Sequence, residues 1–164
     1  EVNSVYTSTV IMQMEEYQRL YVDKDVRFYD HIYVCYPDQY PGGGQGFMDV
    51  RLFPQHIFDR IVTNAENVLK KYMNEGYERG LDILRIYRDE KQKYAHLFEN
   101  EDTLRKMKGY AEYRDNFCEN VKYQDLIWTL DEEAAEWFDK IESLPYDPNE
   151  NKQSGWRAED WEDR

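Results

Sequence analysis

The dominant pattern in the sequence is a long helical one that begins at Pro54. Proline suits the first turn of a helix, because its φ is already helical and a donor there has no partner within the helix. Beyond it, apolar residues recur every three or four positions and share one helix face: Phe58, Ile61, Val62, Ala65, Leu69 and Tyr72. This pattern predicts a helix that packs on an apolar core up to about Asn74, before Gly76 breaks or bends the chain.

Three further helices are predicted from the same periodicity. The second continues to Phe98, the third runs from about Asp102 to Asn120, and the fourth is capped by Thr129 or Asp131. Their apolar faces comprise, in chain order, Leu81, Leu84, Tyr87, Tyr94 and Phe98; Leu104, Met107, Ala111, Phe117 and Val121; and Ala134, Trp137, Phe138 and Ile141. We expect Gly109 to weaken the third helix, since glycine is a poor helix former. Residues 126–128 are read only as a short apolar patch.

The first twenty residues allow two interpretations. The segment from Thr9 to Val22 has a helical period, with Ser8 or Thr9 as its cap, and is expected to be a helix. A strand over Val2–Ile11 is the alternative, because β-branched residues are frequent there.

Two strands are predicted between these helical regions. Val26–Tyr36 is dense in aromatic and β-branched residues, and Phe47–Phe53 alternates polar and apolar side chains. Residues 37–46 between them are rich in proline and glycine, which predicts a hairpin with a long loop. The predicted fold class is therefore α+β: a small antiparallel β-hairpin or sheet packed on a mainly helical body of four to five helices. We expect one domain over residues 1–144 and an acidic, tryptophan-containing tail over 145–164.

Length and composition indicate a cytoplasmic protein. A chain of 164 residues can bury a core without disulfide staples. No apolar run approaches the ~18 residues of a membrane span. No secretory signal pattern is visible at the start, although a removed one stays open. The two cysteines, Cys35 and Cys118, are too few and too far apart for a secreted disulfide framework, so they are interpreted as free thiols.

Charge is distributed unevenly along the chain. The net charge is −13, and residues 121–164 contain thirteen acids and five bases, a net charge of −8. Such a surface repels nucleic acids and anionic membranes, both of which require a positive surface for binding. The expected partner is therefore a basic protein, itself nucleic-acid-binding, and neither nucleic acid nor membrane is expected to bind directly. The oligomeric state is left open.

The glycine-rich loop 41–46 does not have the pattern of a phosphate-binding loop. It lacks the required lysine and leads into a predicted strand rather than a helix. Gly43, Gly44 and Gln45 resemble the Gly-Gly-Gln of peptide-chain release factors, whose glutamine acts at an ester of transfer RNA. That resemblance covers three residues in strongly acidic surroundings. We interpret the loop as a flexible hairpin connection.

No other pattern indicates a cofactor, a metal or a catalytic residue. The three histidines, His31, His56 and His96, have no metal-binding spacing with each other or with the cysteines. Acidic pairs are frequent, but a catalytic pair depends on burial and shifted pKa values, which spacing alone does not provide. We therefore expect no enzyme, no metal and no cofactor.

Aromatic content and the acidic C-terminal quarter together favour a protein that binds another macromolecule. Tyrosine, phenylalanine and tryptophan make up 26 residues, or 16% of the chain, and tyrosine and tryptophan often anchor interfaces. Carboxylates spaced along a helix can imitate a row of phosphates. A merely solubilising acidic surface is the alternative interpretation. The candidate contact residues are Asp131, Glu132, Glu136, Asp139, Trp156 and Asp160.

The leading hypothesis is a non-enzymatic inhibitor that mimics nucleic acid and occludes a basic host protein. Phages and mobile elements make small acidic proteins of this type against host defence nucleases and polymerases. A virion or complex assembly subunit is the first alternative. The second is a small enzyme whose site is gathered from scattered residues, with His31, His56 or Cys35 as candidate members.

Overall fold

The structure is a computed structural model, and it describes residues 2–24, 28–31, 47–72, 78–117 and 121–147. Over these residues the protein is mainly helical, with eight α-helices and one pair of four-residue strands. In chain order the elements are β1 (Val2–Val5), α1 (Ser8–Met12), α2 (Met14–Lys24), β2 (Phe28–His31), α3 (Gln55–Lys71), α4 (Glu78–Lys93), α5 (Ala95–Phe98), α6 (Glu101–Asp115), α7 (Tyr123–Leu130) and α8 (Glu132–Asp139). None of the helices in these ranges is long and apolar enough to cross a membrane.

The predicted antiparallel hairpin, and with it the α+β class, is wrong. Residues 28–31 of the first predicted strand pair in parallel with β1 at the N-terminus, not with Phe47–Phe53. A parallel pair of this length is a minor addition to a helical body. The proposed hairpin loop, residues 37–46, lies outside the described residues.

Residues Phe47–Phe53 form a turn around a buried ion pair instead of a strand. The Asp49 carboxylate accepts the backbone N–H of Arg51 at 2.9 Å and so caps a single 3-10 turn, Val50–Leu52. It also accepts the side-chain Nε–H of Arg51 at 2.9 Å, and both side chains are buried. The alternation predicted a strand, but Asp49 and Arg51 instead pair with each other inside the protein.

The helix prediction near the N-terminus is confirmed, with a break at Gln13 that separates α1 from α2. Its cap is Thr7 rather than Ser8 or Thr9, because the Thr7 hydroxyl accepts the backbone N–H of Val10 at 3.4 Å. The alternative of a strand holds only for the residues of β1.

Helix α3 lies in the core, as its sequence period predicts. It begins directly after Pro54, and α1, α2 and α4 pack against it. Its buried side chains are Ile57, Phe58, Ile61, Val62, Ala65 and Leu69. Burial of each large apolar side chain is worth roughly 1.5–3 kcal/mol, so this one face organises the packing of the N-terminal half.

Gly109 of α6 is a contact point rather than a weak point. The backbone N–H of Leu144 donates to the carbonyl oxygen of Arg105 at 3.0 Å, which draws residues 142–147 across α6. A Cβ added at Gly109 would lie 1.7 Å from the Leu144 carbonyl oxygen. We call residues 142–147 the C-terminal strap.

Tyrosine rings extend the contact between the strap and α6. The ring of Tyr146 lies 4.8 Å from that of Tyr110 and 4.9 Å from that of Tyr113, centroid to centroid. Phe117, at 5.0 Å from Tyr113, continues the row and is 71% exposed. The first residues of the predicted tail are thus packed on the helical body.

Candidate partner-binding surface

The described acidic residues singled out from the sequence lie on the helical hairpin α7–α8. The apolar patch 126–128 belongs to α7, a helix that the sequence patterns had not predicted. Asp115 sets its first turn by accepting the backbone N–H of Tyr123 at 3.0 Å. Asp131 alone joins the two helices. Of the two predicted caps, Thr129 and Asp131, it is Asp131 that caps α8, by accepting the N–H of Ala134 at 3.0 Å.

Much of the negative charge of the protein lies in this region. Residues 121–147 contain eight acids and two bases, a net charge of −6 out of −13. Basic residues on α3 and α6 approach some of these acids, so the availability of each carboxylate depends on its partners.

Asp131 is held inside the protein. Its two carboxylate oxygens accept hydrogen bonds from Arg60 of α3 at 2.6 and 2.8 Å, and its side chain is 9% exposed. Burial alone would raise the pKa of Asp131, but the hydrogen bonds from Arg60 and the α8 backbone hold that pKa below its usual value. Asp131 therefore joins α3 to the hairpin and is not an open acceptor, which argues against its predicted role in partner binding.

Asp139 also has internal partners, and it fixes a tryptophan at the surface. One carboxylate oxygen accepts the side-chain N–H of Gln124 and lies 3.5 Å from Lys108 Nζ; the other accepts the indole N–H of Trp128 at 3.0 Å. Lys108 is buried, with Nζ 4.1 Å from the centroid of the Phe138 ring. Asp139 thereby holds one edge of the indole, while Trp128 remains 41% exposed.

Glu132 and Glu136 are the described candidates that remain open to a partner. Both are exposed, and their spacing to each other and to Asp139 places the three on one side of α8. Within the described part of the chain Glu132 has no ion pair, and Glu136 lies 3.8 Å from Lys140 of the next turn. We call Trp128, Glu132, Glu136 and Asp139 the acidic face.

The remaining candidate contacts, Trp156 and Asp160, lie outside the described residues. Trp128 was missed because its segment was read as an apolar patch. Had α7 been recognised, the spacing of three residues between Asp125 and Trp128 would have placed these two side chains on one face of the helix.

The catalytic alternative gains no assembled site from the described residues. His56 is exposed and lies 3.3 Å from Glu133, while Ser8 is buried and hydrogen-bonded to the Tyr123 hydroxyl at 3.0 Å. Cys35 lies outside the described residues, as does the side chain of His31. No group of three or more potential ligands in the described ranges is arranged to hold a metal.

One small cavity lies in the apolar core beneath the hairpin. Its volume is about 10 Å³, and its lining includes Phe47, Tyr123, Trp137 and Phe138. This volume suits at most one water molecule, so the cavity does not offer a ligand site.

Comparison with known proteins does not place the chain in a family: no family model, no curated protein and no solved structure matches it.

Proposed function

We propose that the protein acts by binding a basic partner protein with the acidic face, without catalysing a reaction. The observation that carries this proposal is the pair of exposed carboxylates, Glu132 and Glu136, on the side of α8 where Asp139 holds the partly exposed Trp128. Exposed charge of one sign attracts a partner of the opposite sign and speeds the encounter, while an exposed aromatic ring supplies contact area. The proposed location is the cytoplasm.

The partner we propose is a nucleic-acid-binding protein whose site the acidic face occupies. At 1.5 Å of rise per residue, Glu132 and Glu136 are separated by about 6 Å along the helix, whereas one DNA strand carries a charge every ~3.4 Å of axis. An eight-residue helix is about 12 Å long, so α8 replaces only a few phosphates. Trp156 and Asp160 remain predicted contacts that would extend the surface. Such a protein fits the role of an inhibitor made by a phage or mobile element.

The test compares two double variants of equal charge. Glu132→Lys with Glu136→Lys alters the acidic face, and Glu16→Lys with Asp89→Lys makes the same charge change at exposed acids of α2 and α4. Tagged proteins are used to capture partners from nuclease-treated native lysate, followed by salt elution, competition with added DNA and mass spectrometry.

We expect basic nucleic-acid-binding proteins on the wild type and on the control variant, eluted by salt and displaced by DNA, but not on the acidic-face variant. Equal recovery by the two variants would refute the acidic face as the site. Recovery of salt-resistant structural proteins instead would favour the assembly alternative, which the exposed Phe117 and Val121 at the α6–α7 connection support (71% and 60% exposed). In that case light scattering should show oligomers that persist at every ionic strength.

A further inference from the structure

Trp128 is positioned to receive a cation. Its indole N–H donates to Asp139 at 3.0 Å, and the residue is 41% exposed. Asp139 shares one side of α8 with the exposed Glu132 and Glu136. An indole ring is the best aromatic surface for a cation, and nearby carboxylates neutralise the charge that it brings. The carboxylates of the acidic face are therefore complementary to a basic side chain. The ring of Trp128 is complementary to a planar group.

The same protein already holds a guanidinium in this manner in its interior. The Arg51 guanidinium carbon lies 4.9 Å from the centroid of the Tyr87 ring and 4.8 Å from that of Phe98. Its nitrogens donate to the carboxylates of Asp49 and Glu90. Burial opposes the charge, but Asp49 and Glu90 hold the pKa of Arg51 above its usual value. Two aromatic rings and two carboxylates thus surround one guanidinium in this chain.

No arginine of the described chain occupies the acidic face. Arg60 forms ion pairs with Asp131 at 2.6 Å and with Glu133 at 2.8 Å. Arg105 forms an ion pair with Glu142 at 2.9 Å. Two lysines of the described chain contact the acidic face. Lys108 is buried and lies near Asp139, and Lys140 lies 3.8 Å from Glu136. Within the described ranges, therefore, no cation of the chain itself is paired with Trp128 or Glu132.

We propose that the acidic face selects arginine over lysine: a guanidinium from a basic segment of the partner stacks on Trp128 and pairs with Glu132 and Glu136. This inference rests on the proposed function and specifies which side chain of the basic partner the acidic face binds. A guanidinium is planar, loses less on dehydration and presents a fork of donors to carboxylates, whereas an ammonium is compact and strongly hydrated. The whole interaction of a cation with an exposed ring corresponds to about a two- to fivefold change in affinity, which sets the upper limit of the preference that stacking supplies.

Two peptides of equal charge test the selectivity on the full chain. One alternates arginine with glycine over eight residues and the other alternates lysine with glycine, and binding of each is measured by calorimetry at low salt. We expect the arginine peptide to bind more tightly to the wild type, by up to about fivefold. Trp128→Leu should reduce the difference between the two affinities, because stacking is lost, and Trp128→Phe should retain most of it. An unchanged difference in Trp128→Leu would refute stacking on this ring.

Phe117→Leu provides the matched control, because it removes an exposed ring on α6 and should leave the preference intact. The double variant Glu132→Gln with Glu136→Gln should weaken the binding of both peptides. Two results together would overturn the preference for arginine: equal affinities of both peptides for the wild type, and weaker binding of both to the glutamine double variant. The proposed function would then still stand. Failure of both peptides to bind would count against both proposals. The comparison of the two peptides on the wild type does not depend on whether any variant folds.

Discussion

Gly109→Ala is expected to destabilise the protein, although alanine is the better helix former. In an isolated helix the change would stabilise by about 1 kcal/mol. Here the new Cβ would lie 1.7 Å from the carbonyl oxygen of Leu144 and 2.8 Å from its carbonyl carbon. Both atoms are backbone, so no side-chain rotation relieves the clash, and the C-terminal strap has to move away from α6.

The size of the effect follows from what the strap loses. Displacing it breaks the hydrogen bond from Leu144 N–H to Arg105, worth about 1 kcal/mol, and separates Tyr146 from two tyrosine rings, worth about 2 kcal/mol together. The gain of about 1 kcal/mol in helix propensity leaves a net loss of about 2 kcal/mol. For a chain of this length that corresponds to roughly 4–8 °C in Tm.

Urea unfolding of Gly109→Ala, Tyr146→Ala and the double variant measures both the loss and its origin. If the strap is the cause, Tyr146→Ala should cost about 2 kcal/mol in the wild type and close to nothing once Gly109 is replaced. A gain in stability for Gly109→Ala, or additive losses in the double variant, would refute the contact between the strap and α6.

Three other substitutions test separate parts of the fold. Arg51→Met leaves the Asp49 carboxylate buried without its cation, and urea unfolding should show a loss of roughly 3–5 kcal/mol. Tyr123→Phe removes the hydroxyl that donates to the Phe47 carbonyl oxygen at 3.0 Å, so about 1–2 kcal/mol should be lost without a change in far-UV circular dichroism. Arg60→Gln tests pH dependence: the folded pKa of Asp131 is held low, so its stabilisation is complete above the unfolded pKa of about 3.9 and is lost as pH falls through the folded value. The stability difference between wild type and Arg60→Gln should therefore narrow below about pH 4, and a constant difference down to pH 2 would contradict the pairing.

Local patterns predicted the elements whose structure depends on neighbouring residues. The spacing from Phe58 to Leu69 placed α3 and its buried face correctly, because a helix brings residues three and four apart together wherever it packs. Asp131 was one of two caps that the sequence allowed, with Thr129 the other, and its acceptor reaches an N–H only three residues away.

The errors arose where residues distant in sequence decided the outcome. Asp49 and Arg51 were read as part of a strand, but a core that includes Tyr87 and Phe98 buries them as an ion pair. Gly109 read as a weakness, because the strap that requires a glycine there is formed by residues far along the chain.

At the acidic face, the sequence predicted that Glu132 and Glu136 lie one turn apart on a helix, and both are exposed on α8; their role in partner binding stays a prediction. Only the tertiary structure showed that Asp131 is bound by Arg60, 71 positions away, and that Asp139 holds the indole of Trp128. The physical reason is that helix periodicity is a local property of the backbone, whereas the partner of a charge is set by which elements pack together.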